Sequence, residues 1–228
     1  MTKTHPLRLA PSILSADFAR LAEEVDEVAD VADLLHVDIM DGHYVPNLTI
    51  GPVVVRWLRQ RTSLPFDTHL MITDPRTYAP QFVAAGSTSI TFHPATDADP
   101  VGFARLIRQE GAEVGVAVRP SERAEDFVEL LEQADMVLCM TVEPGFAGQS
   151  FLPSGVDNVR TAVRLRDAHG WSYRIEVDGG IAPSTAAQVV AAGADTLVAG
   201  SAIFDQRDRA AAARAIMDAA VTAHAPGG

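Results

Sequence analysis

A chain of 228 residues, 47% of them hydrophobic, is long enough for one large buried core. Its formal charge of −12 disfavours a nucleic-acid partner, which needs a basic face, and no apolar run approaches the roughly 20 residues of a membrane span. Met1 to Leu9 carries no signal-peptide core and Cys139 is the single cysteine, so a cytoplasmic protein without a disulfide framework is expected.

Taken in chain order, short apolar runs alternate with stretches of helical period. The first run, 8–13, contains Ser12 and leads to Ser15, and a helix is expected over 18–31. The second, 34–40, puts Leu35, Val37 and Ile39 on one face and His36, Asp38 and Met40 on the other, with Asp41 just beyond. A strand buried on both faces normally fills both with Val, Ile and Leu. Burying an imidazole and a carboxylate costs several kcal/mol or more unless they are paired or bind a metal, so this face is expected to carry chemistry. A helix over 53–61 follows, then a strand over 66–71 ending in His69 and Met71. Asp74-Pro75 opens the next helix, 75–85, which Gly86 closes. A strand over 88–92 leads to His93, and Asp99-Pro100 starts a helix over 100–110. Strands over 113–118 and 135–140 enclose a helix over 122–132, and the latter strand ends in Met140. The loop Glu143–Gln149, a helix over 153–169 and a strand over 173–177 bring the chain to Asp178-Gly179-Gly180. A helix over 183–192, a strand over 195–199, the turn Gly200-Ser201 and a helix over 208–223 complete the order.

Eight alternations without a linker describe a single (β/α)8 TIM barrel over 1–228, with 225–228 as a frayed tail. The alternative with the same alternation is a doubly wound open sheet. The count of eight and the absence of an opening Gly-x-Gly-x-x-Gly favour the barrel.

In a barrel the functional groups lie at the C-terminal strand ends. There His36, Asp38, His69 and Asp178 converge as a nitrogen–oxygen donor set for one divalent metal ion, with Zn, Fe, Mn and Co all compatible. A lone histidine at such a place is more often an ordinary hydrogen-bonded side chain. His36, Asp38 and His69 together, on the inward faces of adjacent strands, are harder to read that way. Gly179-Gly180 and Gly200-Ser201 follow strands 7 and 8, where backbone N–H groups often cradle a phosphate, and Gly145, Phe146, Ala147 and Gly148 lie in a flexible loop after strand 6; the alternative is that these glycines only make tight βα turns. Met40, Met71 and Met140 fall at strand ends as an apolar cap over the pocket. Lys3 is the only lysine and precedes the first strand, which excludes Schiff-base chemistry.

At these residues the sequence resembles the ribulose-phosphate 3-epimerase family over nearly its whole length. The likeness is carried by Pro11-Ser12-Ile13-Leu14-Ser15-Ala16-Asp17, the run from His36 to Asn47, Asp67-Thr68-His69-Leu70-Met71, the run from Met140 to Gln149, Glu176-Val177-Asp178-Gly179-Gly180-Ile181 and Gly200-Ser201-Ala202-Ile203-Phe204. Two departures stand out: Ala147 replaces a third loop glycine, and no glutamate stands near Ala95.

The resemblance implies one metal held by His36, Asp38, His69 and Asp178, with Asp38 and Asp178 also forming the acid/base pair. Ser12 and His69 would touch substrate, segments 145–148, 178–180 and 200–201 would bind it largely through its phosphate, and the three methionines would cap the site. The implied reaction is reversible epimerisation at C3 of D-ribulose 5-phosphate to D-xylulose 5-phosphate in the pentose phosphate pathway, by a homo-oligomer with no nucleic-acid or membrane partner. The alternatives are a six-carbon ketose phosphate such as D-allulose 6-phosphate, a metal-dependent aldolase, and a silent sugar-phosphate binder. A decarboxylase of the lysine–aspartate type is disfavoured because no lysine accompanies Asp38.

Overall fold

A computed structural model describes residues 5–146 and 148–224. The tail at 225–228 and loop residue Ala147 lie outside the described residues. Eight strands form one sheet: β1 (Arg8–Pro11), β2 (Leu35–Met40), β3 (Phe66–Met71), β4 (Ser89–Phe92), β5 (Glu113–Val118), β6 (Met136–Met140), β7 (Arg174–Asp178) and β8 (Thr196–Ala199). Each pairs in parallel with its neighbour in sequence from β2 to β8, and β8 pairs with β1. A parallel bridge between Ser12 and His36 joins β1 to β2 and closes the ring. A TIM barrel is the resulting architecture.

The helices are α1 (Leu21–Asp26), α2 (Pro52–Arg59), α3 (Pro75–Ala85), α4 (Pro100–Gln109), α5 (Val128–Leu131), α6 (Ser154–His169), α7 (Pro183–Ala191), α8 (Ser201–Phe204) and α9 (Arg209–His224). Proline at the first helical turn and an aspartate cap start α3 and α4: Asp74 accepts from Thr77 N–H at 3.2 Å and Asp99 from Gly102 N–H at 2.9 Å. Gly86 ends α3 at φ 114°, a left-handed conformation that suits glycine.

Two helices are shorter than their apolar spacing suggests. The stretch 18–31 yields a 3₁₀ turn at Phe18–Arg20, the six residues of α1 and then tight turns such as Val28 N–H to Val25 C=O. The stretch 122–132 splits into a 3₁₀ segment, Ala124–Phe127, and the four residues of α5. An i, i+3 apolar repeat serves a 3₁₀ turn as well as an α-helix, so spacing alone does not separate them.

Alternation along each strand divides the core in two. Outward residues such as Leu9, Leu35, Val37, Phe66, Leu70, Val137 and Cys139 pack with Val55, Leu58, Phe82, Phe103 and other helix residues in one continuous shell. Inward residues form smaller sets, Ala10 with Val198, and Ala117 with Leu138, Met140 and Val142. Toward β2, β3, β4 and β7 the barrel interior turns polar: His36, Asp67, Thr91 and Glu176 are fully buried there. These polar layers lie beneath the C-terminal mouth, where the site is built.

Candidate active site and metal centre

Register places the donors. His36 stands opposite Asp67 and Asp38 opposite His69 across the β2–β3 pair, so the inward positions two residues apart on each strand form successive layers. Asp178 ends β7 opposite Met140. Ligand atoms of His36, Asp38, His69 and Asp178 all lie within 4.8 Å of one another. Asp38 is the hub. Its Oδ1 lies 3.4 Å from His36 Nε2 and 3.3 Å from His69 Nδ1, while its Oδ2 accepts a 2.6 Å hydrogen bond from Ser12 Oγ.

These carboxyls are electrostatically unequal. Burial alone would raise Asp38, but the imidazoles of His36 and His69 override it and hold the carboxyl well below its usual range. Burial, reinforced by the Asp38 charge, pushes Asp178 up to about 6. Burial works against a proton on His36, yet the Asp38 and Asp67 carboxylates outweigh it and raise its pKa. A positive charge is thus favoured beside Asp38 even in the chain alone.

A divalent cation fits this set. His36 Nε2 and His69 Nδ1 are both buried without a hydrogen-bond partner, and both face Asp38. Leaving such an atom unsatisfied costs about 1–3 kcal/mol, which a cation would relieve. Two imidazole nitrogens and two carboxylates suit Zn, Fe, Mn or Co.

Above the donors lies a pocket walled by the strand ends and loops. The structure brings to it Ser12, Asp38, Met40, Met71, Met140, Gly145, Phe146, Gly148, Asp178, Gly179, Gly180, Gly200 and Ser201. His36 and His69 are fully buried under its floor rather than lining it. Met40 and Met71 pack with Val45, Leu14 and Tyr44 on one side of the mouth, and Met140 packs with Val142 on the other. Gly179 and Gly180 turn through φ 119° and 65°, and a Cβ on Gly179 would stand 2.6 Å from Val142 Cγ2. Only glycine follows this path, so the backbone stays open to the pocket. Phe146, 53% exposed, sits on the β6–α6 loop. That loop is tied to the β2–α2 loop by Asn47 Nδ2 donating to Gly145 C=O at 3.0 Å. Asp41 in turn organises the β2–α2 loop by accepting from the N–H groups of His43 and Tyr44, and ties it to the β3–α3 loop by accepting from Thr73 N–H.

Three buried groups were not among the predicted site residues: Asp67, His93 and Glu176. Asp67 Oδ2 lies 2.7 Å from His36 Nδ1, and Asp67 Oδ1 accepts from Ser89 and Thr91 hydroxyls at 2.8 and 3.0 Å. His69 Nε2 lies 3.0 Å from His93 Nε2. Burial, then the Asp67 charge, raises the Glu176 carboxyl well above the ordinary range. The signal was present in sequence. Asp67 and Glu176 each lie two residues before a ligand candidate, on the same strand face.

Residues 8–204 match the model of the Ribulose-phosphate 3 epimerase family. A ribulose-phosphate 3-epimerase of Mycobacterium bovis is 48% identical over 208 residues, covering 91% of this chain and 90% of the relative. One of Escherichia coli K12 is 45% identical over 202 residues, covering 88% and 90%. Among solved structures, 3-hexulose-6-phosphate synthase from Salmonella typhimurium superposes with a TM-score of 0.74 at 21% identity, covering 96% of this chain and 100% of that one. KGPDC from Streptococcus mutans gives 0.73 at 16% identity over 96% and 99%. At these identities the two structures speak for the fold alone.

Proposed function

The chain belongs to the ribulose-phosphate 3-epimerase family and is an isomerase, and we propose that it interconverts D-ribulose 5-phosphate and D-xylulose 5-phosphate by inverting C3 with Asp38 and Asp178. The observation that carries this reading is the convergence of two carboxylates, one from β2 and one from β7, with two histidines within 4.8 Å under a glycine-lined mouth.

Inverting a carbon beside a ketone requires taking its proton from one face and returning one to the other. Asp38, held ionised by its imidazole neighbours and oriented by Ser12, accepts the proton from one face. Asp178, on the opposite side of the pocket from Asp38, delivers a proton to the other face of the planar enediolate, and the reverse reaction swaps the roles. His36, Asp38, His69 and Asp178 would hold one divalent cation, Zn, Fe, Mn or Co, which supplies Lewis acidity toward charge developing on the substrate oxygens. Backbone N–H groups at 179–180 and 200–201 and along 145–148 would hold the phosphate. Met40, Met71 and Met140 keep water from the reacting carbon. The same reading makes the protein a homo-oligomer acting in the cytoplasm in the pentose phosphate pathway. No helix among the described residues is long and apolar enough to cross a membrane.

Proton NMR of the protein with D-ribulose 5-phosphate and a divalent metal in D₂O tests the proposal. Xylulose 5-phosphate carrying deuterium at C3 is expected. Cleavage products would replace epimerisation with an aldolase. No turnover of the five-carbon substrate, with turnover of D-allulose 6-phosphate, would shift the assignment to six-carbon sugars.

A further inference from the structure

Behind the two histidines stands a second layer that differs from one to the other. His36 presents Nε2 toward Asp38 and backs Nδ1 onto Asp67 Oδ2 at 2.7 Å, within hydrogen-bonding distance though off the ideal line. His69 is turned the other way: Nδ1 faces Asp38 and Nε2 meets His93 Nε2 at 3.0 Å. We propose that Asp67 and His93 are positioning residues that commit the two histidines to opposite ring nitrogens, His36 binding the cation through Nε2 and His69 through Nδ1. This inference rests on the metal-site reading above and extends it to residues outside the donor set.

A neutral imidazole has one bare nitrogen and one N–H, and only the bare nitrogen can ligate. The N–H then needs an acceptor in the outer layer. At His36 the acceptor is fixed by Asp67's other contacts. Its Oδ1 is taken by the hydroxyls of Ser89 and Thr91, which leaves Oδ2 to face Nδ1. A carboxylate oxygen can only accept, so the proton belongs on His36 Nδ1. Glu176 Oε1 stands 3.9 Å from the same nitrogen, beyond hydrogen-bonding distance, and is not the partner. With Nδ1 on the cation, His69 Nε2–H donates to His93 Nε2, and the His93 proton then sits on Nδ1, a buried atom without a partner among the described residues, which makes this the weaker of the two arrangements. His93 is fully buried, its ring set 5.2 Å from that of Tyr44, so it has little freedom to turn away.

The two partners are not equal. A hydrogen bond to a carboxylate is roughly twice as strong as one between neutral groups. Asp67 therefore makes His36 the more basic donor, and its loss weakens the cation more than loss of His93 does.

The test uses the full chain, labelled with ¹⁵N in histidine and loaded with zinc. Long-range ¹H–¹⁵N correlation should show zinc on Nε2 and a proton on Nδ1 for His36, with the opposite pattern for His69. Zinc affinity from chelator competition should fall about tenfold to a hundredfold in Asp67→Asn, and only by about threefold in His93→Gln, which keeps an acceptor. If Asp67→Asn does not fold, Ser89→Ala, which loosens Asp67 without removing it, should still lower the affinity several-fold. Zinc held by both histidines through the same type of ring nitrogen overturns the inference while leaving the metal centre standing. Unchanged affinity in the Asp67 and Ser89 variants does the same. A chain that takes up no zinc at His36 and His69 overturns the metal reading and this inference with it.

Discussion

Replacing Asp178 by asparagine should kill turnover and, in the metal-free protein, strengthen the fold. The substitution preserves size and removes one negative charge from a pocket that already holds Asp38. Burial and that neighbouring charge push the Asp178 carboxyl from its ordinary 3.8 to about 6. A raised acid favours the folded state only while protonated. Its stabilising effect is present below about 4 and is lost as pH rises through 6. Near pH 7 the ionised group therefore costs the fold about 3 kcal/mol, at about 1.4 kcal/mol per pH unit. The side chain keeps contact with solvent at the mouth, and screening reduces this to about 1–2 kcal/mol. At about 2–4 °C per kcal/mol for a chain of this size, Asp178→Asn should melt about 2–8 °C higher than the parent in chelator at pH 7.5. The gap should close as pH is lowered through 6. Turnover, measured with saturating metal, should fall by about a hundredfold to ten-thousandfold, the contribution of a positioned acid or base. A metal-free variant no more stable than the parent would refute the electrostatic account. A variant within tenfold of parental turnover would remove Asp178 from the acid/base pair.

Other outcomes follow from single contacts. Ser12→Ala deletes the 2.6 Å hydrogen bond to Asp38 Oδ2. A buried bond to a charged group is worth about 1.5–3 kcal/mol of stability, so the metal-free protein should melt about 3–12 °C lower, and kcat/KM should drop as Asp38 loses its orientation. Gly179→Ala forces a side chain into φ 119° with Val142 at 2.6 Å, and urea titration should show about 1–3 kcal/mol of lost stability together with a raised KM. Prolonged chelation should abolish activity and added Zn, Mn or Co restore it; full activity in a rigorously metal-free sample would sink the Lewis-acid role. Burial pushes the Cys139 thiol up to about 12, so a thiol reagent at pH 8 should label it only after denaturation.

The barrel was legible because its signals are local and repeated. Eight strand positions agree with the apolar runs to within about two residues, since period-two alternation and the Asp-Pro helix starts at 74 and 99 act within a few residues of where they stand. What failed locally failed for a physical reason, as at 18–31, where an i, i+3 apolar repeat serves tight 3₁₀ turns as readily as a long helix. The convergence of His36, Asp38, His69 and Asp178 was legible because a histidine and an aspartate on one face of a buried strand are costly to bury without partners.

The same argument, carried one layer deeper, reaches Asp67 and Glu176, each sharing a face with His69 or Asp178. What it cannot deliver from sequence is which buried acid meets which histidine. That is decided by stagger between strands, which sets His36 beside Asp67 at 2.7 Å and leaves Glu176 at 3.9 Å. Periodicity along a strand tells which side chains point inward; only closure of the barrel tells which inward side chains touch. Alternation loads the interior with groups too costly to bury alone, and the register among β2, β3, β4 and β7 pairs them so that, in the chain alone, the imidazoles hold Asp38 ionised while burial raises Asp178 to about 6.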